Sequence, residues 1–153
     1  MQKIRPFLWY DGDAEEAIEF YTSIFGDSAL TDVMRAGPDG PVIGATFRLA
    51  GSEFMALNGG PDHQFTEAIS LYVSCDSQEE VDRLWDALQA GGGEPSMCGW
   101  LKDRFGLSWQ VIPDRLTELL SDPDPGRAQR ATQAMLQMQK IDVAALEAAA
   151  DGA

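Results

Sequence analysis

The chain repeats itself. Residues 7–26, FLWYDGDAEEAIEFYTSIFG, and residues 71–91, LYVSCDSQEEVDRLWDALQAG, each read as an apolar run, an acidic polar turn and a helix. An offset of 64 places Phe7 on Leu71, Trp9 on Val73, Glu15–Glu16 on Glu79–Glu80, Phe20 on Leu84, Tyr21 on Trp85 and Ile24 on Leu88. Ala17, Phe20, Tyr21 and Ile24 fall on one helical face, as do Val81, Leu84, Trp85 and Leu88. Asp13 and Ser77 stand where N-caps belong, and Gly26 and Gly91 where helices stop. Strands follow in both copies, over 28–36, 42–50 and 53–58 and then over 94–97, 98–103 and 107–112. The order is therefore β-α-β-β-β, twice. With 153 residues, the chain holds one ordinary domain or two half-size modules sharing a core.

Composition removes several function classes. Acidic residues outnumber basic ones 25 to 11, for a net charge of −14. A surface of that sign repels phosphate backbones and anionic membranes, so neither nucleic acid nor membrane is expected as a partner. No apolar run approaches the ~20 residues that span a bilayer. The apolar run within residues 1–16 is too short for a signal-peptide core, which places the protein in the cytoplasm. Cys75 and Cys98 have no CxxC spacing and read as two buried, reduced thiols.

Residues 114–153 have no place in the repeat. Arg115–Leu120 makes a short helix, Pro123-Asp124-Pro125 breaks it, and a helix over 125–139 follows with Pro125 in its first turn. Ala128, Ala131, Met135 and Met138 form a stripe on that helix, which packs on its own sheet or on a partner subunit. Asp142 caps a last helix over 143–149. The division is thus 1–113 for the duplicated domain, with modules at 1–60 and 66–113, and 114–153 for a helical extension.

Strand alternation separates faces. Ile69, Leu71, Val73 and Cys75 oppose Ser70, Tyr72 and Ser74; Leu107, Trp109 and Val111 oppose Ser108, Gln110 and Ile112. In the first copy, Phe7 and Trp9 oppose Pro6, Leu8 and Tyr10, while Met55 and Leu57 oppose Phe54, Ala56 and Asn58. One face is strongly apolar and suits the helices. The other mixes aromatic, small and uncharged polar residues, where a solvent-facing sheet would carry charges. That mixture suits a partly enclosed cavity with a few hydrogen-bonding groups.

The duplicated βαβββ pattern resembles the vicinal oxygen chelate superfamily, which includes glyoxalase I, bleomycin-resistance proteins and extradiol dioxygenases. Four segments, DGDAEEAIEFYTSIFGDS (11–28), FMALNGGPDHQFTEAIS (54–70), CGWLKDRFGLSWQVIP (98–113) and LSDPDPGRAQRATQAMLQMQKIDVAALEAA (120–149), resemble its PhnB-like branch, known as 3-demethylubiquinone-9 3-methyltransferase. The resemblance implies an α+β fold of the glyoxalase/bleomycin-resistance type, two modules forming a curved mixed sheet around a cleft, and a homodimer.

Superfamily enzymes hold a divalent metal with His, Glu or Gln from the first and last strand of each module. Matching the segments puts those positions at Pro6, Ser70, Gln110 and either Phe54 or Ala56. Only Gln110 among them is a useful ligand, and such ions need three or four N, O or S donors. The single histidine, His63, lies in the loop GGPDHQF and matches no ligand position. No metal is therefore expected. The methyltransferase name meets a similar difficulty. Gly59-Gly60-Pro61 follows a strand but opens no helix, and Gly91-Gly92-Gly93 follows a helix, so neither forms the cradle that would hold S-adenosylmethionine. No G-x-S-x-G elbow is present. Glu67 and Asp103 are the acids that a carboxylate pair would use.

These readings converge on metal-free binding of a neutral or weakly polar small molecule. Asn58, Ser70, Ser108 and Gln110 supply neutral hydrogen bonds. Tyr10, Tyr72 and Trp100 supply aromatic walls, and Glu67 stands at the mouth. Three alternatives stay open: the methyltransferase of the family name, a metal-dependent lyase, isomerase or dioxygenase, and a non-catalytic dimerisation module.

Overall fold

The structure, a computed structural model, describes residues 2–153. These form two compact units, one ending at Phe65 and the other running over Thr66–Ala153.

In the first unit β1 (Phe7–Tyr10) leads into α1 (Ala14–Ile24), then β2 (Ala29–Arg35), β3 (Val42–Leu49) and β4 (Ser52–Asn58). The sheet order is β1-β4-β3-β2, with β1 parallel to β4 and the other pairs antiparallel. The second unit repeats this with β5 (Ser70–Cys75), α2 (Gln78–Gln89), β6 (Glu94–Pro95), β7 (Trp100–Lys102) and β8 (Ser108–Pro113), in the order β5-β8-β7-β6. Here too the first strand runs parallel to the last. A parallel pair needs a crossover, and the helix after the first strand begins it. The expected βαβββ order holds in both copies.

Both helices bury the stripe that their periodicity demands. On α2 it is Val81, Leu84, Trp85 and Leu88, as the spacing predicts. On α1 it is Ala14, Ala17, Ile18 and Tyr21, with Phe20 and Ile24 only half-buried, so this helix is rotated toward Ile18 relative to the expected face. Ser77 caps α2 by accepting from the Glu80 amide. Asp13 makes no such bond. Its role passes to Asn58, whose Oδ1 accepts from the Ala14 amide at 2.9 Å while its amide donates to the Val42 carbonyl.

The repeat is not a uniform offset of 64. Three residues separate β1 from α1, but two separate β5 from α2. The helices keep the offset of 64 while the strands shift to 65. Phe7 therefore corresponds to Tyr72, both about half exposed at 55% and 53%, and buried Tyr10 corresponds to buried Cys75. Register agrees, since Phe7 pairs with Met55 as Tyr72 pairs with Gln110. The expected match of Phe7 to Leu71 is corrected by one residue, and the counterpart of Gln110 is Met55 rather than Phe54 or Ala56. β7 also starts later than the spacing predicts, at Trp100. Cys98 (φ +59°) and Gly99 (φ +84°) take left-handed conformations that end any extended run.

The extension belongs to the second unit. It forms α3 (Asp114–Leu120), α4 (Pro125–Met135) and α5 (Val143–Ala150), with Asp124 and Asp142 as caps. Leu116, Leu119, Ala131, Ile141, Leu146 and Ala150 close a core around Ile112 of β8, with Met135 and Met138 packed on it. Polar ties fix it to α2: Gln78 donates to the Ile141 carbonyl at 2.9 Å and accepts from the Val143 amide at 2.8 Å. Lys140 pairs with Asp82. The Met138 and Gln139 carbonyls accept from the Cys98 and Gly99 amides, so the extension reaches the β7 approach through backbone bonds.

Candidate functional site

The second sheet presents an organised polar face. Register sets two rows across it. One is Tyr72–Gln110–Trp100 and the other Ser70–Ser108–Lys102, on β5, β8 and β7 in turn. Residues two apart on a strand share a face, so both rows stand on the side opposite Trp109, Val111 and Leu101, which are buried. Six of the eight site residues read from the sequence lie in this unit, and five of them meet on this face: Ser70, Tyr72, Trp100, Ser108 and Gln110. Glu67, just before β5, joins them through Lys102, its Oε1 accepting from Nζ at 2.6 Å. That hydrogen bond holds the Glu67 carboxyl below the usual carboxylate range and raises the Lys102 ammonium above its ordinary value.

Within this face, Gln110 Nε2 donates to Ser70 Oγ at 2.9 Å. Tyr72 and Thr117 hydroxyls stand 3.5 Å apart. Ser108 behaves differently. It is 1% exposed, and among the described residues its Oγ is the buried side-chain oxygen with no hydrogen-bond partner. A buried, unsatisfied hydroxyl costs about 1–3 kcal/mol. Two depressions open on this face, and Trp100 lines both. A cavity of about 150 Å³ is bounded by Ser108, Lys102, Glu67, Glu94 and Ser96. Another of about 240 Å³ is bounded by Tyr72, Gln110 and Ile112 on the sheet side and by residues of the extension.

The other two expected site residues are placed differently. Tyr10 is 3% exposed, packs edge-on against Phe65, and its hydroxyl meets that of Tyr21 on α1. Asn58 caps the same helix. Both therefore stand on the helix side of the first sheet, whose other side carries Phe7, Trp9, Met55 and Leu57. No carboxylate pair forms from Glu67 and Asp103. Asp103 is buried and spends both oxygens on Phe105 N, Leu107 N and Trp109 Nε1.

A family model described as 3-demethylubiquinone-9 3-methyltransferase matches residues 2–112. The chain belongs to that family. The PhnB protein from Bacillus cereus is 40% identical, with a TM-score of 0.66 over 73% of this chain and 99% of its own. Protein PA1353 from Pseudomonas aeruginosa is 25% identical, with a TM-score of 0.62 over 74% of this chain and 98% of its own. The fosfomycin resistance protein FosX from Listeria monocytogenes, at 16% identity and a TM-score of 0.54 over 74% and 93%, shares the fold alone. The fold is thus the glyoxalase/bleomycin-resistance type that the resemblance implied. No match was found among curated proteins. The family match ends before α3, so the segment 120–149 lies beyond it.

The divalent metal that the superfamily resemblance implied does not fit the residues at these positions. At the expected positions Pro6 and Phe54 or Ala56 offer no donor, and Ser70 and Gln110 offer a hydroxyl and an amide that bond each other; the register neighbours Phe7, Met55 and Tyr72 add only a thioether and a phenol. Among the described residues, no three His, Cys, Asp or Glu gather where an ion would sit. The Gly59-Gly60 turn is filled by protein: a Cβ on Gly59 would lie 2.3 Å from the Trp9 ring, Trp9 Nε1 donates to the Gly60 carbonyl, and His63 packs edge-on against that ring.

Three side chains at this face, Lys102, Thr117 and Met135, were not among the expected site residues. Lys102 stands two residues beyond Trp100 on β7, and strand alternation alone would have found it. Thr117 has no such signal, and the stripe that includes Met135 signals packing but not this cavity, because only the folding of α3 and α4 against β8 brings them near. The two thiols are free and unequal. Burial pushes the Cys75 thiol up to about 12, with Glu80 and Asp114 adding repulsion, whereas Cys98 is half-buried at the edge of the larger cavity. A disulfide reagent at pH 8 should titrate one thiol per native chain rapidly and the second only after denaturation. Two fast thiols would contradict this placement.

Proposed function

We propose that the protein binds a neutral or weakly polar small molecule on the polar face of its second sheet. The observation that carries this reading is the Ser108 hydroxyl, buried and unpartnered beside a cavity. Ligand groups relieve such a cost when they supply the missing hydrogen bond. Gln110 and Tyr72 add neutral polar groups, Trp100 adds a flat apolar wall, and Lys102 offsets one of the two carboxylates, Glu67 and Glu94, at the edge. A polyanionic ligand is disfavoured by the overall −14 charge. Two unpaired thiols fit a cytoplasmic protein. A homodimer, which the family resemblance implies, fits the exposed apolar side chains Ile4, Phe7 and Met34 of the first unit. Among the described residues no helix is long and apolar enough to cross a membrane.

Calorimetric titration with 2-naphthol, a neutral bicyclic alcohol, tests the reading. Saturable binding in the micromolar range is expected, weakened about fivefold or more by Gln110→Leu. Absence of saturation up to the solubility of the probe would defeat it. The family description favours a second reading, methyl transfer. Saturable micromolar binding of S-adenosylmethionine would support that reading over the first.

A further inference from the structure

We infer that the C-terminal extension, which lies beyond the family match, forms one wall of the larger cavity on this face, the one lined by Tyr72 and Gln110, and limits the size of what that cavity accepts. The inference rests on the binding reading above and adds a specificity-determining element to it. The larger cavity has two sides of different origin. Tyr72, Gln110 and Trp100 come from the duplicated sheet, whereas Leu120 of α3 and Met135 of α4 come from the extension. The extension is held there by its own core around Ile112 and by the Gln78 and Lys140 ties to α2, so the wall is anchored rather than loosely apposed. Its position relative to the sheet is also fixed by backbone bonds from Cys98 and Gly99 to the chain just after α4.

The cavity's chemistry points to a compact ring system. Its volume of about 240 Å³ exceeds the ~150 Å³ that encloses a benzene-sized ligand in an engineered apolar cavity. The wall side is apolar at Leu120 and Met135, and the sheet side carries the Gln110 amide. A bicyclic molecule with one hydroxyl or carbonyl matches both sides. A flat tricyclic molecule needs more room, and Met135 and Leu120 stand on the side that bounds it. Met135 is the adaptable part, since its unbranched thioether fits irregular spaces.

The test compares 2-naphthol with 9-anthracenemethanol by calorimetry on the full chain. Wild type should bind the smaller probe about tenfold more tightly. The double variant Leu120→Ala/Met135→Ala should narrow that ratio to about threefold or less by gaining affinity for the larger probe. Thermal melts confirm that the variant is folded, and Leu120→Ala alone provides a milder version. Gln110→Leu should weaken both probes and preserve their ratio. If the double variant keeps the wild-type ratio while Gln110→Leu weakens both probes, the site exists and the extension is not its wall. If neither probe binds wild type, the underlying binding reading fails and this inference fails with it. If Leu120→Ala/Met135→Ala instead changes the oligomeric state and leaves both affinities unchanged, the surface is a protein contact and the inference is overturned.

Discussion

Replacing Asp103 with alanine should destabilise the protein by about 3–5 kcal/mol. Asp103 is a buried charge that accepts three hydrogen bonds within the β7–β8 turn: Phe105 N at 2.9 Å, Leu107 N at 3.1 Å and Trp109 Nε1 at 2.9 Å. Hydrogen bonds to ionised acceptors contribute about 1.5–3 kcal/mol each, and they are not additive within one network. Alanine removes all three and leaves the buried Trp109 indole N–H without its acceptor. Asparagine keeps the size but offers a single oxygen, and its NH2 faces a donor, so Asp103→Asn should lose about 2 kcal/mol. Urea unfolding followed by fluorescence reads both as shifts in midpoint at constant slope. A loss below about 1 kcal/mol for Asp103→Ala would show that the turn closes without the carboxylate. The consequence extends to function, because this turn sets the register that places Lys102 beside Ser108 and Trp100 beside Gln110.

The residues that could be read in advance are those whose partners are near in sequence or fixed by periodicity. Ser77 and Asp142 cap helices a few residues away, and Pro125 opens the helix that follows it. Alternation on β5 and β8 assigned Ser70, Tyr72, Ser108 and Gln110 to one face before any pairing was known, because side chains on a strand have a period of two whatever the strand pairs with. The failures come from long range. Helical signal fixed the repeat at an offset of 64, but a turn shorter by one residue shifts the strands to 65, and in a strand one residue changes the face. The same effect took Tyr10 and Asn58 into the expected site. Asn58 finds its use at Ala14, 44 positions away, and Tyr10 at Tyr21 across the sheet–helix boundary. Asp103 showed the opposite limit. Its charge suggested chemistry, whereas its partners two to six residues ahead make it structural.

Ser108→Ala should stabilise the protein and weaken it as a binder. In most buried positions, loss of a serine hydroxyl costs stability because a hydrogen bond is lost. Here no bond exists to lose. The unfolded chain hydrates the hydroxyl, the folded chain buries it without a partner, and alanine removes that penalty at almost the same volume. The expected gain is about 1–2 kcal/mol, or roughly 2–8 °C in melting temperature for a chain of this size. If a ligand normally satisfies this oxygen, the same substitution removes a contact made only in the complex, and affinity for 2-naphthol should fall about tenfold where its hydroxyl reaches Ser108 in the smaller cavity rather than Gln110 in the larger one. The two measurements separate two explanations of one observation. A rise in stability with unchanged affinity makes Ser108 a packing imperfection away from the ligand. A fall in stability means that an ordered water already satisfies the hydroxyl, and the observation on which the binding reading rests is removed. Only a rise in stability together with a loss of affinity identifies Ser108 as a position where the fold gives up stability in order to hold a ligand.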